Sequence, residues 1–127
     1  MERSAVIVAG FGFRKDASVF SLISAYQLAR EGAPPVTHLA APADKAELLA
    51  ELANLLDLPL IAVPPGRLAQ VSTCTASTAA QAARGVGSVA EASALAAFDD
   101  DAATLAGPRH ISRDRMATCA IALGVSA

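Results

Sequence analysis

The sequence is poor in the residues that announce several common functions. It has no tryptophan, one tyrosine and four phenylalanines among 127 residues. Few aromatic faces are therefore available to stack on bases. Basic residues are not in excess either, with 10 Lys and Arg against 12 Asp and Glu. A nucleic-acid binder normally carries a basic face, so that class is disfavoured. The two cysteines, Cys74 and Cys119, are far apart and in no CxxC pair, which argues against a thiolate metal site. Nothing points to an oxidising compartment, although a disulfide between them stays open. His38 and His110 are the only histidines, too few and too separated to suggest a metal centre. No metal and no resident cofactor are expected. No run of about twenty apolar residues is free of charges or breakers, so no membrane span is expected. The start, Met1-Glu2-Arg3-Ser4, leads straight into a short apolar run, too short for a secretion signal, and the expected location is the cytoplasm.

What is present is alanine and aliphatic residues. Apolar residues make up 54% of the chain, and the length suits one domain over residues 1–127. Alanine favours helix, and small side chains let helices approach a sheet closely. Residues 5–9 (AVIVA) are a continuous β-prone run that reads as a buried strand ended by Gly10. A loop, Gly10-Phe11-Gly12-Phe13-Arg14-Lys15, follows. Asp16 or Ser18 then caps a helix that runs to about Arg30 and stops at Gly32. Residues 36–40 form a second strand. Pro42-Ala43-Asp44 opens a second helix, with Asp44 at or near its cap, whose apolar face is Leu48, Leu49, Leu52, Leu55 and Leu56, and residues 60–63 form a third strand. Strand–helix–strand–helix–strand implies parallel pairing with right-handed crossovers.

The later half is less regular. Residues 68–70 suit one helical turn, residues 72–78 form a hydroxyl-rich loop, and residues 79–84 suit a short helix. Ser88 and Glu91 have capping-box spacing before a helix to about Phe98. Residues 104–106 and 116–123 read as strands, with a hairpin turn around residues 108–114 at the sheet edge. The fold expected is α/β: a small, mostly parallel sheet with helices on both faces and a C-terminal antiparallel hairpin.

Several segments offer chemistry. Gly10 and Gly12 would let a ligand approach the first loop, and Arg14, Lys15 and Ser18 would meet an anion at a helix N-terminus. The plain alternative is a strand-to-helix turn with solvated charges. It is not a dinucleotide fingerprint, because the third glycine is missing. His38 and Asp44 are the weak candidates for an acid or base; a structural histidine and a helix cap are the simpler readings. Lys45 at a helix start opposes the helix dipole and suggests a nearby anion. Thr73 and Thr75 could bind carboxylates or merely cap a surface loop. Gly87, Ser88 and Glu91 mark a second anion-compatible helix entry, where Glu91 reads as the partner of Ser88 rather than a base. Arg109, His110, Arg113 and Arg115 cluster around the single acid Asp114, either as carboxylate forks or as a solvated hairpin tip.

Four blocks in order, spread over nearly the whole chain, resemble the CobE family and the C-terminal domain of the cobalt-precorrin hydrolase CbiG. They are VAGFGFRK from Val8, the stretch from Thr37 through Asp44, Lys45 and Glu47 to Leu60, GVGSVAEA from Gly85 with Ala94-Leu95-Ala96-Ala97, and ATCAIA from Ala117. The resemblance implies a part in building the corrin ring, and hence a carboxylate-rich precorrin or corrin intermediate as ligand, with other cobalamin-pathway enzymes as further partners. In CbiG-like proteins the reaction opens a ring lactone and releases a two-carbon aldehyde. This chain resembles the stand-alone form used in the aerobic route. Where the family's first loop often reads Gly-x-Gly-Cys-Arg, this chain has Phe13, so a thiol is not available there. A lysine frequent near Arg109 is replaced by arginine, which favours anion binding over proton transfer. Hydrolase-like turnover and binding or channelling both remain open. The alternatives are a phosphate- or nucleotide-binding regulatory module and a structural subunit of a pathway enzyme.

Overall fold

In a computed structural model of the chain, the described residues are 6–14, 16–66, 88–98, 104–105 and 109–124. Strand β1 (Val6–Phe13) leads to helix α1 (Val19–Arg30), then strand β2 (His38–Pro42), a short 3-10 turn (Ala43–Lys45), helix α2 (Ala46–Leu56) and strand β3 (Leu60–Val63). Helix α3 (Ser88–Ala96) and strands β4 (Thr104–Leu105), β5 (His110–Ile111) and β6 (Ala117–Gly124) complete the described elements.

The sheet order is β3-β2-β1-β6-β4, with β5 also pairing β6. The β1–β2 and β2–β3 pairs are parallel. β6 runs antiparallel to β1 over the whole strand, from Val6 opposite Gly124 to Phe13 opposite Ala117. β4 and β5 are antiparallel to β6 as well. The fold is thus α/β, with a parallel half built from the first three strands and an antiparallel half at the C-terminal end.

Side chains alternate across β1 as a strand requires. Ile7, Ala9 and Phe11 join Leu22, Leu39, Leu49, Leu52, Cys119 and Ile121 in the core under α1 and α2. Val8 faces the other way, with Ala40, Val63, Ala94, Phe98 and Ala122 under α3. Helices on both faces explain why β1 and β6 are apolar runs rather than alternating ones. Leu22, Leu39, Leu49 and Leu52 are completely buried, each stabilising the fold by about 2 kcal/mol through removal from water.

The structure corrects several boundaries. β1 does not stop at Gly10 but continues to Phe13, so most of the expected ligand loop is strand. Gly10 is placed where an added Cβ would lie 2.4 Å from both Ala90 O and Ala94 N. Its missing side chain is what lets α3 lie against the sheet. β2 is shifted two residues towards Pro42. Asp44 is not a helix cap: it lies in the 3-10 turn, and the residue at the start of α2 is Lys45, with no side-chain cap. Leu55 is exposed rather than on the buried face of α2. The C-terminal hairpin does take the edge of the sheet, with β4 outermost and β6 between it and β1. Ser18 does cap α1, accepting from the Phe20 N–H, with Ser21 completing a capping box. Gly32 follows the helix end with φ +77°, a left-handed turn that glycine adopts at little cost. The turn, loop and helix expected over residues 68–84 lie outside the described residues.

Candidate functional site

The carboxyl ends of β1 and β2 and the start of β6 meet at one end of the sheet, an edge running across the strands. This edge is where ligands bind in open parallel sheets. Arg14, just past β1, donates its backbone N–H to Met116 O at 2.8 Å. That bond ties the first basic segment to the arginine-bearing turn before β6, about one hundred residues later in the chain. Arg14, Arg113 and Arg115 are all exposed. Lys45 reaches the same edge from β2: its ammonium donates to Phe13 O at 2.7 Å and lies 5.0 Å above the Phe13 ring. The partner expected of Lys45 was an anion or carboxylate; among the described residues it is a carbonyl and an aromatic face. α3 runs antiparallel to β1, with Val89 and Ala90 over Gly12 and Ala94 over Gly10. Its N-terminus, the positive end of the helix dipole, therefore points to this edge too.

The turn at residues 112–116 is tightly held. Ser112, buried, donates its hydroxyl to Asp114 Oδ1 at 2.5 Å and accepts the N–H groups of Met116 and Ala117, both at 3.1 Å. Asp114 Oδ2 accepts from Ser21 Oγ of α1 at 2.6 Å, and Oδ1 also accepts from Met116 N at 3.1 Å. Arg113 N–H donates to Ser24 Oγ at 3.1 Å. The Ser112 and Ser21 hydroxyls, then the Met116 amide, hold the Asp114 carboxyl below its ordinary pKa. Arg115 has φ +61°, a left-handed conformation uncommon outside glycine, asparagine and aspartate.

The other sequence candidates are scattered. His38 opens β2, its Nδ1 2.7 Å from Thr37 Oγ1. β2 separates it from Asp44 by about 13 Å of strand, so the two acid–base candidates are not brought together. Asp44 adjoins Lys45 at the basic edge. Arg109 is half-buried before β5, and its Nε is buried with no hydrogen-bond partner among the described residues. Such an orphaned donor calls for an explanation, and an incoming acceptor would supply one. His110 is exposed on β5. Glu91 lies within the first turn of α3. Lys15, Thr73, Thr75, Gly87 and the side chain of Ser88 fall outside the described residues, as does Cys74.

Sequence reasoning missed the anchors, Ser21, Ser24 and Ser112. Only the Ser112-x-Asp114 spacing hinted at a self-bonded turn, because the contacts to α1 span some ninety residues. Cys119 is free and buried, as expected for a small core hydrophobe. Burial pushes its thiol pKa far up. Among the described residues no group of three or more His, Cys, Asp or Glu is placed to hold a metal, and no helix is long and apolar enough to cross a membrane.

Comparison with known proteins bears on this geometry. A search of curated proteins finds no match. Among solved structures, the chain is similar to the cobalamin biosynthesis protein chiG from Agrobacterium tumefaciens strain C58. Identity is 40%, with 92% of this chain and 97% of that one covered and a TM-score of 0.73. It also shares the fold of CobE, a protein from the cobalamin (vitamin B12) biosynthetic pathway. There identity is 24%, coverage 97% and 93%, and the TM-score 0.73. The family model described as cobalamin synthesis G C-terminus matches residues 7–122. From the first strand to the last, then, the chain belongs to the cobalamin synthesis G C-terminal family and is a cobalamin biosynthesis protein with the fold of CobE.

Proposed function

We propose that the basic edge binds the peripheral carboxylates of a precorrin or corrin intermediate, holding the ligand for processing or for transfer to another enzyme of the pathway. One observation carries this reading: the Arg14 N–H to Met116 O bond, which unites the end of β1 with the arginine turn. It brings Arg14, Arg113 and Arg115 to the edge that Lys45 and the α3 N-terminus also face. A corrin precursor carries several acetates and propionates around its rim. Separate cations spaced along a sheet edge suit several carboxylates better than one compact phosphate. Arginine stays charged throughout the physiological range and forks onto carboxylates. These groups are binders. His38, one of the two acid–base candidates, stands at the other end of β2, so the reading favours binding and channelling over lactone opening.

The test is a titration with the corrin polycarboxylate hydrogenobyrinic acid, followed by visible absorbance and gel filtration, with ATP as comparison. Wild-type protein should show a saturable spectral shift and co-elution. Arg14→Ala should weaken binding by about tenfold, as expected for loss of one charge-assisted contact. Binding of ATP without any corrinoid binding would sink the proposal and favour a nucleotide module.

A further inference from the structure

We infer that Asp114 is the positioning residue of the basic edge: it fastens the arginine turn to α1 and so sets Arg113 and Arg115 beside Arg14. This rests on the reading of the edge as a carboxylate-binding surface and deepens it. An acid in the middle of a cationic cluster looks, at first sight, opposed to anion binding. Its bonds show a different role. Both carboxylate oxygens are engaged by neutral donors. Oδ2 takes the Ser21 hydroxyl of α1, and Oδ1 takes the Ser112 hydroxyl and the Met116 amide. Asp114 thus bonds to neutral donors of the turn and of α1, while Arg113 and Arg115 are exposed.

The same turn is tied at three further places. The Arg113 amide bonds to Ser24 Oγ, Arg115 N–H bonds to Ser112 O at 2.9 Å, and Met116 O accepts from Arg14 N. Ser21 is shared between two tasks, since its Oγ also accepts from Ser18 N–H in the α1 capping box. Through that residue the turn is connected to the helix start that follows Arg14. Arg115 holds a left-handed slot that glycine would fill with less strain. An arginine in that slot is explained if its side chain is used.

Positioning and plain electrostatics predict opposite signs, which makes the inference testable. Removing a negative charge beside cations should tighten anion binding if Asp114 acts only through its charge. If it positions the turn, Asp114→Asn should loosen binding, by about fivefold, because the arginines must then be ordered when the ligand arrives. Ser21→Ala, which leaves every charge in place, should loosen it in the same direction. Arg115→Gly should weaken binding without lowering thermal stability. These titrations use the full chain and hydrogenobyrinic acid. Amide hydrogen exchange is measured in parallel on the free variants. Asp114→Asn and Ser21→Ala should speed exchange at Arg113 and Met116 while the β1 amides stay protected. Tighter binding by Asp114→Asn together with unchanged binding by Ser21→Ala would overturn the inference. So would unchanged exchange at the turn. If the wild type binds no corrinoid while exchange at the turn responds as expected, the ligand reading fails and the fastening of the turn by Asp114 stands.

Discussion

Asp114 accepts from two hydroxyls and an amide, and these bonds favour its ionised form. Its folded pKa is therefore lower than its unfolded one. For a carboxylate shifted in this direction, the stabilising contribution is complete above the unfolded value, near pH 4. It disappears as pH falls through the lower, folded value, because the unfolded chain then binds the proton more readily. Denaturant midpoints measured from pH 6 down to pH 2 should show wild type more stable than Asp114→Asn at the upper end. The two should converge below about pH 4. A constant gap over the whole range would mean that the carboxylate's charge is not what the serines recognise. Cys119 is the contrasting residue. It pairs with Phe11 across β1 and β6 and faces the core under α1 and α2, with its pKa raised by burial. It does not replace the thiol that family resemblance would place at Phe13.

At the scale of elements, the decisive contact is α3 on β1. The sequence shows Gly10-x-Gly12 after an apolar run, and local propensity reads glycine as the end of a strand. The strand continues because the glycines have a tertiary partner, a helix some eighty residues later whose own contact residues, Ala90 and Ala94, are small. No local pattern reveals that pairing. The sequence suggests close approach of a ligand at these glycines; at Gly10 what approaches is helix backbone. An alanine in a strand would ordinarily gain a little from reduced freedom of the unfolded chain. At Gly10 the added methyl meets backbone at 2.4 Å, so strain decides the sign. Gly10→Ala should cost about 3 kcal/mol, read as a lowered denaturant midpoint at unchanged slope. At Gly12 the nearest atoms are 3.1 Å away and belong to the Val89 side chain, which can shift. Gly12→Ala should therefore cost clearly less. Equal effects would contradict the described seating of α3. Elements with strong local signals were legible by contrast. The start and stop of α1 follow from Ser18, Arg30 and Gly32, and β3 occupies residues 60–63 as its apolar run suggests.

For the whole molecule, topology converts scattered charges into a site. The formal net charge is −2, and the basic segments at Arg14, Lys45 and residues 109–115 each look like ordinary surface charge when read alone. The sequence supports a parallel first half and a C-terminal hairpin at the sheet edge, but not which of the hairpin's strands meets β1. The largely buried run of residues 117–122, with Thr118 half-buried, lies beside β1, where both faces of a strand are covered. Inserting β6 there brings the arginine turn next to Arg14. An edge built from exposed cations has a consequence that a buried apolar pocket lacks: its attraction for a polyanion is screened by salt, over a distance of about 10 Å at 0.1 M. Corrin polycarboxylate binding should weaken several-fold between low and physiological ionic strength. Arg14→Ala should flatten that dependence as well as lower the affinity, because fewer charges then contribute. A salt-independent affinity in the wild type would place the ligand away from this edge, whatever its identity.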